Sequence, residues 1–300
     1  SSLASLVIGT GTPLVAYVTV DGNPVLSGSR MTIIAGVFSV LAVICYLLCY
    51  NLVRERVPVP ANNQKLDLLA LGKSLITNRA LLGIVAAALL LLLAMLGMQG
   101  MSAYVFPNVY RNTQAQSVVA LLSNVSIIAI CAPLASKLAA KFGKKELATV
   151  SCLFGAASYV ICFILHPDNV WVYVIFYVAA FVGLGFFNTI IWAMITDVID
   201  DAEVKNGIRE DGTIYAVYSF ARKLGQAFSS GMVGALLSLA GYSTATAFDP
   251  AVTESIFKIS CIVPIIGLTT VALALIFIYP LNKKRVESNV AELARRRGEK

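Results

Sequence analysis

The sequence contains few charged residues and almost none of the residue patterns that enzymes use. Charged residues make up 13% of the chain and hydrophobic residues 58%, with a mean hydropathy of +0.80, whereas charged residues form about a quarter of an average soluble domain. His166, in a short His-Pro-Asp-Asn turn, is the only histidine, and a solvated turn histidine is not expected to be a catalyst. No nucleophile elbow, phosphate-binding loop or His-Glu-x-x-His motif occurs. These absences predict that the chain is not an enzyme.

The cysteines show neither the spacing of a metal site nor that of a disulfide framework. No CxxC pair and no histidine cluster is present, and every cysteine falls within an apolar stretch. We therefore expect no metal and no resident cofactor. The six cysteines interpreted as small buried apolar residues are Cys45, Cys49, Cys131, Cys152, Cys162 and Cys261.

The net charge of +7 does not indicate a nucleic-acid partner. Nucleic-acid binding requires basic residues that gather on one soluble face, whereas here they lie in short loops between apolar stretches. The expected partner is the lipid bilayer, because these stretches are 18 or more nearly uncharged residues long and can cross about 30 Å of hydrocarbon.

The apolar stretches predict membrane-spanning α-helices. Lipid offers the backbone no hydrogen bonds, and continuously apolar runs do not fit the alternation of a barrel strand. The fold class is therefore an all-α membrane protein. Eight spans are predicted: 2–20, 30–53, 79–104, 116–139, 146–165, 170–195, 214–240 and 255–281.

The segment 54–78 is predicted to divide the chain. It begins with a proline-containing polar stretch and continues as an amphipathic pattern, typical of a linker followed by a helix on the membrane surface. In transporters with two six-span halves, such a linker joins the halves. We therefore interpret 1–53 as the last two helices of an N-terminal half, 79–281 as a six-helix C-terminal half and 282–300 as a cytoplasmic tail. On this count, about four further N-terminal helices of the same protein are expected upstream.

The positive-inside rule predicts the orientation. With the amino terminus in the cytoplasm, most of the 23 lysines and arginines fall in inner segments, including the tail. The carboxyl terminus is then cytoplasmic.

The seventh span carries a polar stripe. Its residues recur at spacings of three and four, which places them on one helix face, beside small residues (Ala227, Gly231, Gly234) expected to permit close helix contact. Lys223 lies about 14 Å along the helix from Ile214 and is predicted to line a polar cavity. Alternatively, Lys223 pairs with a carboxylate on another helix or extends to the membrane edge. The adjacent Arg222 points away from the stripe and is expected to extend to the membrane edge or to contact the inner gate. The stripe comprises Tyr215, Ser219, Lys223, Gln226 and Ser230.

The sixth span adds two candidate substrate contacts. Asn188 can donate and accept hydrogen bonds, and Trp192 offers a flat face on which a sugar ring can stack. Ordinary helix packing is the alternative for both. The predicted substrate-binding set is Lys223, Gln226, Ser219, Asn188 and Trp192.

A run dense in both charge signs, 197–211, follows the sixth span. It is predicted to form ion pairs of an inner gate, or alternatively to be a solvated loop. The basic turn 141–145 is interpreted as a set of positive-inside anchors, with Gly143 supplying the turn. The predicted gate residues are Asp197, Asp200, Glu203, Lys205 and Arg209.

Two segments resemble the glycoside-pentoside-hexuronide:cation symporters, the melibiose permease family of the major facilitator superfamily. They are Asp-Val-Ile-Asp-Asp-Ala-Glu-Val-Lys-Asn-Gly-Ile-Arg at 197–209 and Tyr-Ser-Phe-Ala-Arg-Lys-Leu-Gly-Gln at 218–226, closed by Gly241-Tyr242. The resemblance implies a twelve-helix bundle in two halves, of which eight helices are expected here, in a bacterial inner membrane. It also implies uptake of a sugar with Na⁺ or H⁺. Lys223 matches the family's intramembrane lysine.

The sequence departs from that family pattern at Asn188. The melibiose permease has a tryptophan there, whereas this chain has Trp192 one turn later, which counts against melibiose as the substrate. The family's acidic cation ligands lie on early helices, so no coupling ion is assigned.

The predicted function is sugar and cation symport by alternating access. A lipid or other non-sugar transporter of the same fold is the alternative, although it would need an apolar cavity. Two further classes of function are alternatives. A membrane sensor or assembly subunit would tolerate charge reversal at Lys223. A channel would need a continuous pore lined by rings of polar residues.

Overall fold

The computed structural model describes residues 17–20, 23–53, 78–207, 209, 211–243 and 245–297. The chain divides between Leu68 and Leu69 into two units. The predicted linker and surface helix lie almost entirely in 54–77, outside the described residues, and stay a prediction.

The first unit contains a hairpin and one long helix. Strand β1 (Tyr17–Val20) pairs antiparallel with β2 (Asn23–Leu26), with Tyr17 opposite Leu26. Helix α1 (Gly28–Leu52) follows and confirms the second predicted span within two residues. The first predicted span is wrong at Tyr17–Val20, because this aromatic and β-branched run favours a strand. The rest of that span lies outside the described residues.

The second unit is a helical bundle. Its helices are α2 (Arg79–Tyr104), α3 (Thr113–Ser126), α4 (Ala132–Phe142), α5 (Lys144–Leu165), α6 (Val170–Asn206), α7 (Asp211–Leu239), α8 (Pro250–Phe277) and α9 (Lys283–Arg297). A π-helical turn, Val105–Val109, extends α2, and another, Ile127–Cys131, joins α3 to α4. Prolines within or just after these turns lack the amide hydrogen that a regular α-helix needs. The predicted helical class is confirmed.

Local sequence signals set several helix ends. The side chains of Asn78, Asn112 and Asn169 accept hydrogen bonds from amides in the first turns of α2, α3 and α6. Gly143 and Gly207, with φ of 107° and 72°, end α4 and α6 in conformations that a glycine adopts readily. The predicted turn at Gly143 is therefore confirmed.

Six of the helical segments that the structure describes are long and apolar enough to cross a membrane. They are Gly28–Leu52, Arg79–Val109, Gln114–Phe142, Lys144–Leu165, Val170–Asn206 and Pro250–Phe277. Helix α7 has the length of a span, 29 residues, but its polar stripe and two adjacent cations keep it outside this apolar set.

Close helix crossings hold the bundle together. Helix α2 contacts α7 and α8, while α5 contacts α6 and α8. At the α5–α6 crossing, the Gly183 backbone lies against the Ser151 carbonyl and Gly155, so that a side chain at 183 would collide with backbone atoms. Small residues also allow α2 and α8 to approach, since a Cβ at Gly267 would lie 2.6 Å from that of Ala94.

We expect Gly183→Ala to destabilise the bundle by about 1–3 kcal/mol, because the colliding atoms belong to the backbone of α5. Thermal unfolding of the detergent-solubilised protein measures the effect. Gly231→Ala is the matched control, since a Cβ there meets no described atom within 4 Å and helix propensity favours alanine. Equal unfolding midpoints for the two variants would contradict the close crossing.

Candidate functional site: a polar helix face and a charged end

The structure places the polar stripe of α7 beside the face that packs on α2. The packed face consists of Ala221, Gly225 and Ser229, and a Cβ on Gly225 would lie 3.3 Å from Leu92 Cβ. The centre of the stripe lies about 120° around the helix from the centre of that face. Within the second unit, Ser219, Lys223 and Ser230 are exposed, and Tyr215 and Gln226 are half-buried.

Lys223 takes part in the hydrogen bonds of the stripe. Its Nζ donates to Gln226 Oε1 at 3.3 Å, and Ser230 Oγ donates to the Gln226 carbonyl at 3.2 Å. In the part of the chain that the structure describes, no carboxylate forms an ion pair with Lys223. Within the described part of the second unit, Lys223 is therefore an exposed cation whose side-chain partner is the neutral Gln226.

The expected role of the small residues on α7 is wrong for the described bundle. A Cβ on Gly231 or Gly234 would meet no described atom within 4 Å, and Ala227 is exposed. These positions lie opposite the face that packs on α2, and Gly225 makes the close contact instead. The spacing of the residues predicts that the stripe lies on one face of α7. It does not predict which face of α7 packs against the neighbouring helix.

Trp192 lies at the boundary between α6 and α7. Its ring stacks on Tyr215, with centroids 6.4 Å apart, and meets Tyr218 edge-on at 5.3 Å. The Arg222 guanidinium lies 5.4 Å from the centre of the Trp192 ring, and its Nη1 donates to the Tyr218 hydroxyl at 3.3 Å. The structure thus brings Trp192 together with Arg222. From the sequence, Arg222 was expected to extend to the membrane edge or to contact the inner gate. Asn188 is half-buried one helical turn before Trp192.

The predicted gate residue Asp197 pairs with a lysine from the basic turn. Lys144 Nζ lies 2.6 Å from Asp197 Oδ1 and also donates to the Ala193 carbonyl. Lys145 donates to the carbonyls of Ile276 and Tyr279 at the end of α8. The interpretation of this turn as anchors and nothing more is therefore wrong, because its lysines join α5 to α6 and α8.

Asp201 joins α6 to the tail helix α9. Its side chain is 1% exposed and accepts hydrogen bonds from Lys205 at 2.6 Å, Arg285 at 3.0 Å and Asn289 at 3.1 Å. Arg297 adds two contacts to Glu203, at 2.8 and 2.9 Å. The predicted tail is therefore largely a helix bound to the charged end of α6.

Arg209 gathers three carboxylates where α6 leads into α7. It donates to Asp200 at 2.9 Å, Glu203 at 2.8 Å and Asp211 at 2.9 Å. Partial burial alone would lower the pKa of Arg209, but these hydrogen bonds outweigh burial and raise the pKa above its ordinary value. All five predicted gate residues are thus ion-paired within the second unit.

Sequence reasoning missed several members of the charged end. Lys144, Arg285, Asn289 and Arg297 come from other parts of the chain, so the local charge run did not reveal them. The amphipathic tail with three arginines in its last turn was the available signal for α9.

We expect Asp201→Asn to weaken the attachment of α9 to α6 by about 2 kcal/mol. This value is near the low end for the loss of one partner of a charge pair, because Lys205 and Arg285 can turn to solvent. Limited proteolysis within α9 measures the loosening. Asp211→Asn, at a carboxylate that is 48% exposed, is the control and should leave cleavage unchanged. Identical cleavage of both variants would contradict the assigned role of Asp201.

A comparison with known families matches nearly the whole chain. The matching family model is described as "MFS/sugar transport protein" and covers residues 2–283.

Several curated proteins are similar to the chain. A glucuronide carrier protein homolog of Escherichia coli is 27% identical over 87% of the chain and 56% of the relative. An uncharacterized symporter of Bacillus subtilis is 28% identical over 87% of the chain and 57% of the relative. An isoprimeverose transporter of Lactiplantibacillus pentosus is 24% identical over 94% of the chain and 58% of the relative. The chain thus spans a little over half the length of these relatives.

Proposed function

We propose a transport function for this chain, which belongs to the MFS/sugar transport protein family and is a multi-pass membrane protein. The chain forms at least a part of a protein that takes up a sugar in symport with a cation, Na⁺ or H⁺, by alternating access. It lies in a bacterial inner membrane with its carboxyl terminus in the cytoplasm.

The polar face of α7 is the observation that carries the proposal. Lys223 and Gln226 form a hydrogen-bonded pair on a helix that belongs to a bundle of apolar helices. A cation within a span is costly unless it lines a polar cavity or meets a partner. A cavity with donors and acceptors of this kind suits the hydroxyl groups of a sugar.

The relatives support a sugar as the substrate. Their printed names refer to a glucuronide and to isoprimeverose, and another relative is called a symporter. In this proposal Lys223, Gln226, Ser219, Asn188 and Trp192 contact the sugar. The charged end, which contains Asp197, Asp200, Glu203, Lys205 and Arg209, serves the inner gate.

The lipid-transporter alternative would require an apolar cavity. The polar stripe on α7 counts against it, because Ser219, Lys223 and Ser230 are exposed on one face. Among the residues described, no group of three His, Cys, Asp or Glu side chains could hold a metal ion. The coupling cation is therefore proposed without assigned ligands.

Sugar-protectable labelling of a cysteine introduced by Gln226→Cys tests the site. In a background that lacks the six native cysteines, we expect a transported sugar to slow the reaction with a thiol reagent severalfold, because the sugar covers this position. Lys258→Cys, at an exposed position on α8, is the control that no sugar should protect. Labelling at 226 that no transported sugar slows would contradict the proposed cavity.

A further inference from the structure

The last turns of α4 carry two exposed lysines on one helix face. Lys137 and Lys141 are four residues apart, so that their side chains lie next to each other along the helix. In the part of the second unit that the structure describes, neither lysine forms an ion pair, whereas Lys144, at the start of α5, pairs with Asp197 at 2.6 Å. The two exposed cations are therefore suited to an anion that is not a side chain of the described bundle.

A third lysine reaches this place from the start of α9. Lys283 Nζ donates to the Lys141 carbonyl at 3.1 Å, which fixes its ammonium at the end of α4. Its pairing with Glu287 is loose, at 3.8 Å, and that carboxylate is 63% exposed. Glu146 packs against Gly143 with its Oε2 buried, so that this oxygen does not face the surface. An ammonium has three N–H donors, and Lys283 retains a donor for a further ligand.

Apolar side chains adjoin the three lysines on the side of the membrane span. Leu134 lies one turn before Lys137 on the same face and is 42% exposed. Phe142 is 55% exposed, and Lys141 Nζ lies 5.2 Å from the centre of its ring. Both apolar residues belong to Gln114–Phe142, a segment long and apolar enough to cross a membrane. The surface thus changes from apolar to cationic along one helix face, as a bilayer changes from hydrocarbon to headgroups.

We propose that Lys137, Lys141 and Lys283 bind the phosphate of an anionic phospholipid. One acyl chain lies along Leu134, and the Phe142 ring flanks the headgroup. Phosphatidylglycerol, with its net negative charge, complements the three cations, whereas the choline group of a zwitterionic lipid would bring a fourth positive charge to them. The site lies apart from the polar face of α7, and the proposal does not depend on the transported solute.

A comparison of two lipids by native mass spectrometry tests the site. Phosphatidylglycerol and phosphatidylcholine with identical acyl chains are added in mixed micelles to the delipidated protein encoded by the native gene. We expect the first phosphatidylglycerol to bind about 10- to 100-fold more tightly than the first phosphatidylcholine. Each lysine near a membrane surface contributes about 1 kcal/mol, or about fivefold, to the binding of an anionic lipid.

Double variants then locate this preference. Lys137→Gln with Lys141→Gln should lower the affinity for phosphatidylglycerol about 25-fold, two steps of about fivefold, and leave that for phosphatidylcholine unchanged. Its unfolding midpoint in detergent without lipid should equal that of the wild type, which shows that the variant is folded. Arg111→Gln with Lys258→Gln is the matched control and should keep the full preference. It removes two exposed cations from the end of the bundle where α3 and α8 begin.

Four results would overturn the inference. Equal affinity of the wild type for the two lipids would show that no anionic lipid is selected. Equal losses in the two double variants would assign the preference to net charge. Unchanged phosphatidylglycerol binding in the Lys137→Gln, Lys141→Gln variant would show that another part of the protein covers the three lysines. Displacement of the lipid by glycerol 1-phosphate, which has no acyl chain, would assign them to a soluble phosphate.

A single variant decides the question if the double variant does not fold. Lys283→Gln removes the lysine that α9 contributes and should lower the affinity for phosphatidylglycerol about fivefold. An unchanged affinity in this variant would also overturn the inference.

Discussion

Lys223→Ala is expected to lower sugar accumulation at least about tenfold while the protein still reaches the membrane. The substitution removes the cation of the polar stripe and the donor to Gln226 Oε1. Loss of a hydrogen bond to a charged group costs about 1.5–3 kcal/mol, which corresponds to at least about a tenfold loss of uptake. Uptake of labelled sugar by cells that express the native gene measures the effect, and surface labelling measures expression.

Lys258→Ala provides the control for Lys223. Lys258 forms an exposed ion pair with Glu254 on α8, at 3.0 Å, and an exposed pair of this kind contributes little. We therefore expect this variant to accumulate sugar normally. Full accumulation in Lys223→Ala would show that the stripe's cation is not required and would remove Lys223 from the site.

Lys144→Ala is expected to destabilise the charged end by about 3–5 kcal/mol, the range for breaking a buried pair. The Asp197 side chain is only 6% exposed, and Lys144 is its ion-pair partner at 2.6 Å. Asp197 Oδ2 has no hydrogen-bond partner among the described residues, so removal of Lys144 would leave a buried carboxylate without compensation. Thermal unfolding in detergent measures the loss.

The double variant Lys144→Met, Asp197→Leu separates charge burial from packing. It should be more stable than Lys144→Ala alone, because no uncompensated charge remains. Lys137→Ala, at an exposed lysine on α4, is the control and should change stability little. A Lys144→Ala protein that unfolds at the wild-type temperature would show that this pair does not hold α5 against α6.

Long apolar segments made most of the fold predictable. The bounds of α2 and the existence of α3 to α6 and of α8 follow from runs that only a helix can carry across lipid. The strand Tyr17–Val20 was missed, because its strand-favouring residues directly follow a longer apolar run and were counted as the end of one helix.

The shared face of the α7 stripe was also predictable, whereas its surroundings were not. A spacing of three and four residues fixes Ser219, Lys223 and Ser230 on one side of a helix. It does not fix how the helix is rotated against its neighbours, so the packing role fell to Gly225 instead of Gly231. The contact between Trp192 and Arg222 depends on the same rotation.

The pairs of the charged end needed the folded chain. Lys144 and Asp197 are 53 residues apart, and Arg285 and Asp201 are 84 apart. A local charge run predicts that ion pairs form near a membrane surface but not which partners meet. The structure assigns these partners to α5 and α9, within the second unit.

Sugar uptake by proteoliposomes under imposed cation gradients tests the central claim most directly. Vesicles that contain the protein encoded by the native gene should accumulate a sugar above its external concentration when an inward Na⁺ or H⁺ gradient is imposed. That accumulation should disappear when an ionophore dissipates the gradient. Uptake that only equilibrates the sugar, or is independent of both gradients, would contradict cation-coupled symport.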